Sequence, residues 1–274
     1  MERENITKTM RVRQNFIYPD IKDTDISYGA SISGVVLREN GDWRDALTPA
    51  EDQNVGGVES FACYIEAQQH AIAMMEEALF NEKDNNYASR FNALLSGGSE
   101  SGGDPIKAAR SIKYDGLISE EMMSWRGIDS WEEFHSWEGT DKDVCKNEGK
   151  KWLTKRSADF KIFVEKHYPI ETKYLKIRES LKRSPTPISV CGWYERDGKY
   201  YKPQGLDDQH LTLAVYMNDK NEIYIRDTYP PYDKIVEANT DFDFAMGWII
   251  RKKLSTPTLT LWQKLKYNVR NIFK

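Results

Sequence analysis

The sequence is poor in the residues that build the commoner cross-links. Three cysteines occur in 274 residues, Cys63, Cys145 and Cys191, an odd number at wide spacing. A disulfide framework needs pairs and a structural zinc site needs close Cys or His spacings, so neither is expected. His135 and His167 have no carboxylate or cysteine at ligand spacing, so no metal and no other cofactor is expected. No apolar run reaches the roughly 18 residues that a membrane span needs. Met1-Glu2-Arg3-Glu4-Asn5 does not open a signal-peptide core. Positive charge is not in excess either. The net charge of -4 argues against general nucleic-acid binding. No internal repeat is seen, and a reducing, cytoplasmic setting is the simplest expectation.

Aromatic residues are plentiful, with eight Trp and fifteen Tyr, enough core material for one large domain or for two lobes around a shared cleft. The most informative stretch runs from Asp52 to Phe80. Gln53 precedes the glycines Gly56 and Gly57, and Cys63 follows near the start of a helix rich in Ala and Met. Helix N-terminal N–H groups and the helix dipole favour an anion, so a thiol placed there tends to lose its proton. A backbone N–H at the helix start and the Gln53 amide would suit a developing oxyanion. The competing reading is that Cys63 is a small apolar residue in a buried helix.

The helix is expected to start at Ser60. Ala62, Ile65, Ile72, Met75 and Leu79 form one apolar face, with Gln68, Gln69, Glu76 and Glu77 mostly elsewhere. His70 lies about two turns past Cys63, roughly 10 Å along the axis, and reads as structural. Ser96 to Pro105 has the composition of a flexible surface loop. Its Gly102-Gly103 pair is either a linker or a bare backbone edge on which an extended peptide can pair. Pro105 suits the first turn of a helix over Ile106–Tyr114, ended by Asp115-Gly116. Residues 119–183 read as helical, charged and aromatic.

From Ile188 the pattern turns to strands. Ile188–Trp193, His210–Tyr216 and Glu222–Asp227 are expected strands, Asp197-Gly198 a turn, and Ser31–Leu37 an earlier strand closed by Asn40-Gly41. His210 begins one strand and Asp227 ends the next. In an antiparallel hairpin these ends are neighbours, the geometry in which a carboxylate orients an imidazole. A His at a strand mouth is also commonly a plain surface residue.

These residues, taken in order, resemble a papain-like (C1-type) cysteine peptidase. Asp42-Trp43-Arg44, Leu47-Thr48-Pro49 and Asp52-Gln53 are similar to the start of the mature enzymes. Gly102-Gly103 before a helix ending in Tyr114-Asp115-Gly116-Leu117, with Glu120-Glu121 beyond it, resembles the family's glycine pair, helix and glycine turn. Leu181 to Val190 resembles the crossing into its β lobe, and His210 with Asp227-Thr228-Tyr229 resembles its His strand and Asn-Ser-Trp segment. The match spans about 42–250 and looks closest to divergent viral and uncharacterised bacterial members.

The resemblance implies an α+β, two-lobe fold. A helical lobe would cover about 50–180 and a β lobe about 185–250 within a 42–256 domain, after an N-terminal extension over 1–41. It also implies a Cys63–His210–Asp227 catalytic set, an oxyanion donor at Gln53, substrate binding at Gly102 and Gly103, and a peptide or protein substrate. The family's Cys lies six positions after the Gln; here that position is Glu59, and Cys63 stands four further on. Either the loop carries a four-residue insertion, or Glu59 occupies the nucleophile's place in a silent binding module. Tyr64, the aromatic residue after Cys63, favours the insertion. A cell-wall amidase or transpeptidase using the same Cys, His and Asp is a further alternative. Residues 257–274 read as a separate basic amphipathic helix. Thr260 and Gln263 form its capping box, and it would pack on its own domain, a partner protein or a membrane surface.

Overall fold

The computed structural model describes residues 17–19, 36–55, 57–83, 85–192 and 194–253. Most of the expected Ser31–Leu37 strand, and the expected helix over 257–274, lie outside the described residues. The first strands among the described residues form a short antiparallel hairpin, β1 (Asn54–Val55) and β2 (Val58–Glu59), with Gly57 at φ +87° between them. Helices α1 (Cys63–Phe80), α2 (Ser89–Ser96), α3 (Pro105–Asp115), α4 (Trp131–Phe134) and α5 (Lys142–Lys155) follow. Then come β3 (Arg156–Glu165), α6 (Ile170–Leu181), β4 (Thr186–Val190), β5 (Glu195–Arg196), β6 (Lys199–Tyr200), β7 (His210–Met217), β8 (Ile223–Arg226), β9 (Asp233–Val236) and β10 (Phe244–Lys252).

Strands β3 to β10 form one sheet in the order β3-β10-β4-β7-β8-β9-β6-β5, antiparallel except where β6 meets β9. The helical half stands against it. Helix α1 packs on β7, β10 and β4 on one side and on α2 and α3 on the other, while α6 packs on β3, β10, β4 and β7. Strands β4 and β7 are accordingly buried along nearly their whole length. The mixture of helices with a mainly antiparallel sheet is the expected α+β class.

Three local expectations are corrected. Helix α1 begins at Cys63, with Ala62 as its N-cap, not at Ser60. It is also not one-faced: Glu66, Gln68, Gln69, His70 and Glu76 are all buried, because the helix is wedged between sheet and helices. Residues 156–165, expected within a helical region, form β3. Ala158, Phe160, Ile162 and Val164 alternate inward, and the strand pairs along its length with β10. Asp159 and Lys161 take the outward positions between them, and Phe163, buried out of phase, interrupts the period of two.

Other local signals are met by the backbone. Asp104 caps α3 by accepting from the Ile106 and Lys107 N–H groups, with Pro105 in the first turn. Asp197 and Gly198 both take positive φ, +52° and +75°, as a tight hairpin turn requires. Trp43 is fully buried and ties the entering chain to both halves of the scaffold. Its N–H donates to the Val215 carbonyl at 2.9 Å and its indole donates to the Leu181 carbonyl at 2.7 Å. Among the described residues no helix is long and apolar enough to cross a membrane.

Candidate active site

The β1–β2 hairpin explains the spacing between Gln53 and Cys63. It fills the ten-residue step from Gln53 to Cys63 and keeps its two ends together: the Ser60 N–H returns to the Gln53 carbonyl at 2.9 Å. The chain then turns into α1 through Phe61, a bulky residue at φ +54°. A side chain in the left-handed region costs about 1–3 kcal/mol, and such residues concentrate at functional sites. Burial of the Phe61 ring and a bond from its N–H to Glu59 Oε1 at 3.1 Å hold it there. Cys63 is thereby delivered as the first residue of α1, fully buried.

His210 opens β7 and Asp227 follows β8, so the β7–β8 pairing brings them together. The His210 Nε2 lies 2.6 Å from Asp227 Oδ1, with both side chains almost completely buried. Burial by itself lowers the imidazole pKa. The Asp227 carboxylate and Cys63 outweigh it and raise it to about 10, each through charge and through a hydrogen bond. Cys63 is therefore a direct neighbour of the imidazole. With Nε2 turned to Asp227, the nitrogen facing Cys63 is Nδ1. The mouth of β7 is braced by a buried knot. Asp208 and Asp243 each accept the other's backbone N–H, and Lys202 reaches both carboxylates, at 3.0 and 2.8 Å.

Gln53 is buried beside this pair. Its Oε1 accepts from the Thr228 hydroxyl at 3.1 Å and its backbone N–H donates to the Thr228 carbonyl. That fixes the amide with its NH2 end turned toward the Tyr229 hydroxyl. The Nε2 makes no hydrogen bond of ordinary length among the described residues. Tyr229 tilts its ring against His210, centroids 5.3 Å apart, and donates to Glu59 Oε2 at 2.8 Å. Glu59 therefore sits on β2 as the partner of Tyr229, and Cys63, not Glu59, heads the helix. Burial raises the Glu59 pKa.

Within the loop the glycine pair is buried, while residues 97–101 are exposed or half-buried. Gly102 uses both backbone groups in a tight turn with Ser99, N–H to carbonyl at 2.8 Å and carbonyl from N–H at 2.9 Å. Gly103 differs: its carbonyl accepts the Ile17 N–H at 3.2 Å. A Cβ on Gly103 would stand 2.2 Å from the Tyr64 ring, which is why the chain needs glycine beside the residue after Cys63.

The remaining histidines stand apart. His70 Nδ1 pairs with the Thr48 hydroxyl at 2.7 Å, and burial lowers its pKa to about 4; His135 stacks on Trp131; His167 is exposed. Burial raises the Cys145 pKa and lifts that of Cys191 to about 11, so neither is a ready thiolate at neutral pH. Among the described residues no three His, Cys, Asp or Glu side chains gather as a metal site. Two residues escaped the sequence reading. Lys234 on β9 and Tyr200 on β6 both reach Asp227 Oδ2, at 2.7 and 2.9 Å.

No protein-family model and no curated protein sequence matches the chain. Solved structures do. The digestive procathepsin L 3 of the Tenebrio molitor larval midgut superposes with a TM-score of 0.57 at 12% identity, over 89% of this chain and 77% of that one. Xylellain, a cysteine protease from Xylella fastidiosa, gives a TM-score of 0.56 at 18% identity, over 88% and 97%. The bromelain protease from Ananas comosus gives 0.52 at 14%, over 78% and 98%. At these identities the likeness shows the fold, a papain-like two-lobe α+β arrangement.

Proposed function

We propose that the chain is a papain-like cysteine peptidase that cleaves a peptide or isopeptide bond of a peptide or protein substrate through a thioester acyl-enzyme. The observation that carries this reading is the convergence at one point of three elements. They are the head of α1 with Cys63, the mouth of β7 with His210, and the end of β8 with Asp227, bonded to the imidazole at 2.6 Å.

In the forward step His210 takes the thiol proton and the Cys63 sulfur attacks the carbonyl carbon. Negative charge builds on the carbonyl oxygen, which faces the Gln53 amide and the Cys63 N–H. The C–N bond breaks as the imidazolium returns its proton to the leaving amine. Water, losing a proton to His210, then cleaves the thioester and releases the acid and the thiol. Asp227 keeps the ring in the one tautomer and orientation that serve both halves. The Gly103 carbonyl, paired with Ile17, supports the binding of an extended backbone there. Three cysteines without a disulfide among them support a reducing, cytoplasmic location.

The test is covalent labelling. A peptidyl epoxide should modify Cys63, located by mass spectrometry, and His210→Ala should abolish the labelling. Modification of Cys145 or Cys191 in preference to Cys63, or none, overturns the reading.

A further inference from the structure

Asp227 is a carboxylate in the orienting position, and both of its oxygens are committed. Oδ1 faces His210 Nε2 at 2.6 Å and accepts the Thr228 N–H at 2.7 Å. Oδ2 accepts from Lys234 Nζ at 2.7 Å and from the Tyr200 hydroxyl at 2.9 Å. A carboxylate offers about four acceptor positions, so this one has none left and cannot turn. The exposure of the side chains is 1% for His210, 0% for Asp227 and 7% for Lys234, so their charges act on one another through a poorly screening interior.

The sheet order produces this arrangement. Lys234 sits opposite Ile225 in the β8–β9 ladder, and the Asp227 N–H continues the ladder to the Tyr232 carbonyl at 2.7 Å. The parallel β6–β9 pairing places Tyr200 beside it, with the Lys234 ammonium 4.8 Å from the Tyr200 ring centroid.

On the reading of Cys63 and His210 given above, we propose that Lys234 is a positioning residue for His210. With Tyr200 it pins Asp227 Oδ2 and offsets part of the carboxylate's charge, so that the imidazole meets a fixed acceptor of reduced charge. The groups facing this unit are few. Cys63 comes from α1 and Glu59 from β2. Tyr229 comes from the segment after β8, Lys234 from β9 and Tyr200 from β6. Burial raises the pKa of Glu59, and burial with Asp227 raises that of the Tyr200 phenol, so Tyr200 is a neutral donor, while Lys234 makes a salt bridge to Asp227 at 2.7 Å.

The chemistry needs this balance. His210 must carry a proton while the leaving amine departs and must be neutral when it activates water. An uncompensated buried carboxylate at 2.6 Å would hold the imidazole in its charged form through both steps. Lys234 opposes that bias while keeping the orienting bond.

The test reads the thiol directly and needs no substrate. The rate of Cys63 alkylation by iodoacetamide is followed against pH in the full-length chain. Substituting Lys234→Met should move the alkaline limb, which reports loss of the His210 proton, upward by about one pH unit, a tenfold change in proton affinity. Lys234→Arg, which keeps the charge, should leave the limb in place. Asp227→Asn alone leaves Lys234 buried against a neutral amide and repelling the imidazolium. Adding Lys234→Met should restore alkylation at neutral pH by about tenfold over Asp227→Asn.

A Lys234→Met profile that superimposes on the parent overturns the proposal. So does a double variant no faster than Asp227→Asn, and that comparison decides the matter if Lys234→Met fails to fold. Absence of alkylation at Cys63 in the parent is a different outcome, which overturns the peptidase reading and this proposal together.

Discussion

Gln53 is held by its carbonyl end, and its NH2 group is turned toward the Tyr229 hydroxyl with a second hydrogen to offer. The Thr228 hydroxyl takes Oε1, and the buried Nε2 is without a hydrogen bond of ordinary length among the described residues. A donor hydrogen held beside the place where an oxyanion develops stabilises the transition state more than the ground state. Gln53→Ala should therefore lower kcat on a peptide substrate by about 100-fold. Alkylation of Cys63 by iodoacetamide, which builds no oxyanion, should continue at the parent rate. Parallel losses in both measurements would show that Gln53 only supports the β1–β2 hairpin. Thr228→Val should give a smaller loss, since it frees the amide to flip without removing it.

Among single residues, the legible ones announce themselves locally. Cys63 stands at a helix start, and His210 and Asp227 stand at the two ends of one strand pair, so periodicity is enough to bring them into view. Lys234 and Tyr200 carry no such mark. Their meeting with Asp227 depends on β9 lying between β8 and β6, and on one parallel pairing in an otherwise antiparallel sheet.

At the scale of elements, helix α1 shows why a buried helix is hard to read. Its polar side chains lie inward, where each has a local task. Gln68 donates to the Tyr64 and Pro105 carbonyls, Gln69 donates to Asn92, and Glu76 accepts from Tyr87, Asn85 and Trp152. A one-faced helix has no use for such bonds, and nothing in the spacing distinguishes the two cases. Strand β3, whose partner β10 lies far along the chain, is the opposite failure, a period of two interrupted by the buried Phe163.

Glu66 is the costly member of α1. It is fully buried, its Oε2 has no partner among the described residues, and its pKa is raised well above the ordinary carboxylate range. Burial is the first cause, and the neighbouring Glu51 and Cys63 add to it. A carboxyl whose folded pKa exceeds its unfolded value of about 4.3 favours the fold fully only below that value. Its contribution is lost as the pH rises through the folded pKa. Glu66→Gln should thus match the parent near pH 4 and exceed it at pH 8. Each kcal/mol relieved should raise Tm by about 2–4 °C in a chain of this size. A Tm difference that does not grow between the two pH values would show that Glu66 is satisfied by a contact unrelated to its charge.

At the scale of the whole molecule, residues 17–19 join its two halves. The Ile17 N–H donates to the Gly103 carbonyl beside Tyr64 on the helical side, and the Tyr18 hydroxyl accepts the Lys166 N–H just past β3 on the sheet side. Such a bridge was not legible in a polar N-terminus, because it consists of one backbone bond and one side-chain-to-backbone bond to residues far along the chain. It has a consequence for binding. An extended substrate that pairs with Gly103 must displace Ile17, so the two compete for one carbonyl. Proline at position 17 removes the N–H donor and leaves most of the apolar bulk. One backbone hydrogen bond is worth about 0.5–1.5 kcal/mol net, which corresponds to a fall in KM of about 2- to 10-fold for Ile17→Pro. The turnover number should hold, because Cys63, His210 and Asp227 are untouched. Tyr18→Phe, which loses the acceptor for Lys166, should move KM in the same direction by less. If Ile17→Pro leaves KM where it was, the Gly103 carbonyl is not the substrate's docking point, and the glycine is there only to clear the Tyr64 ring.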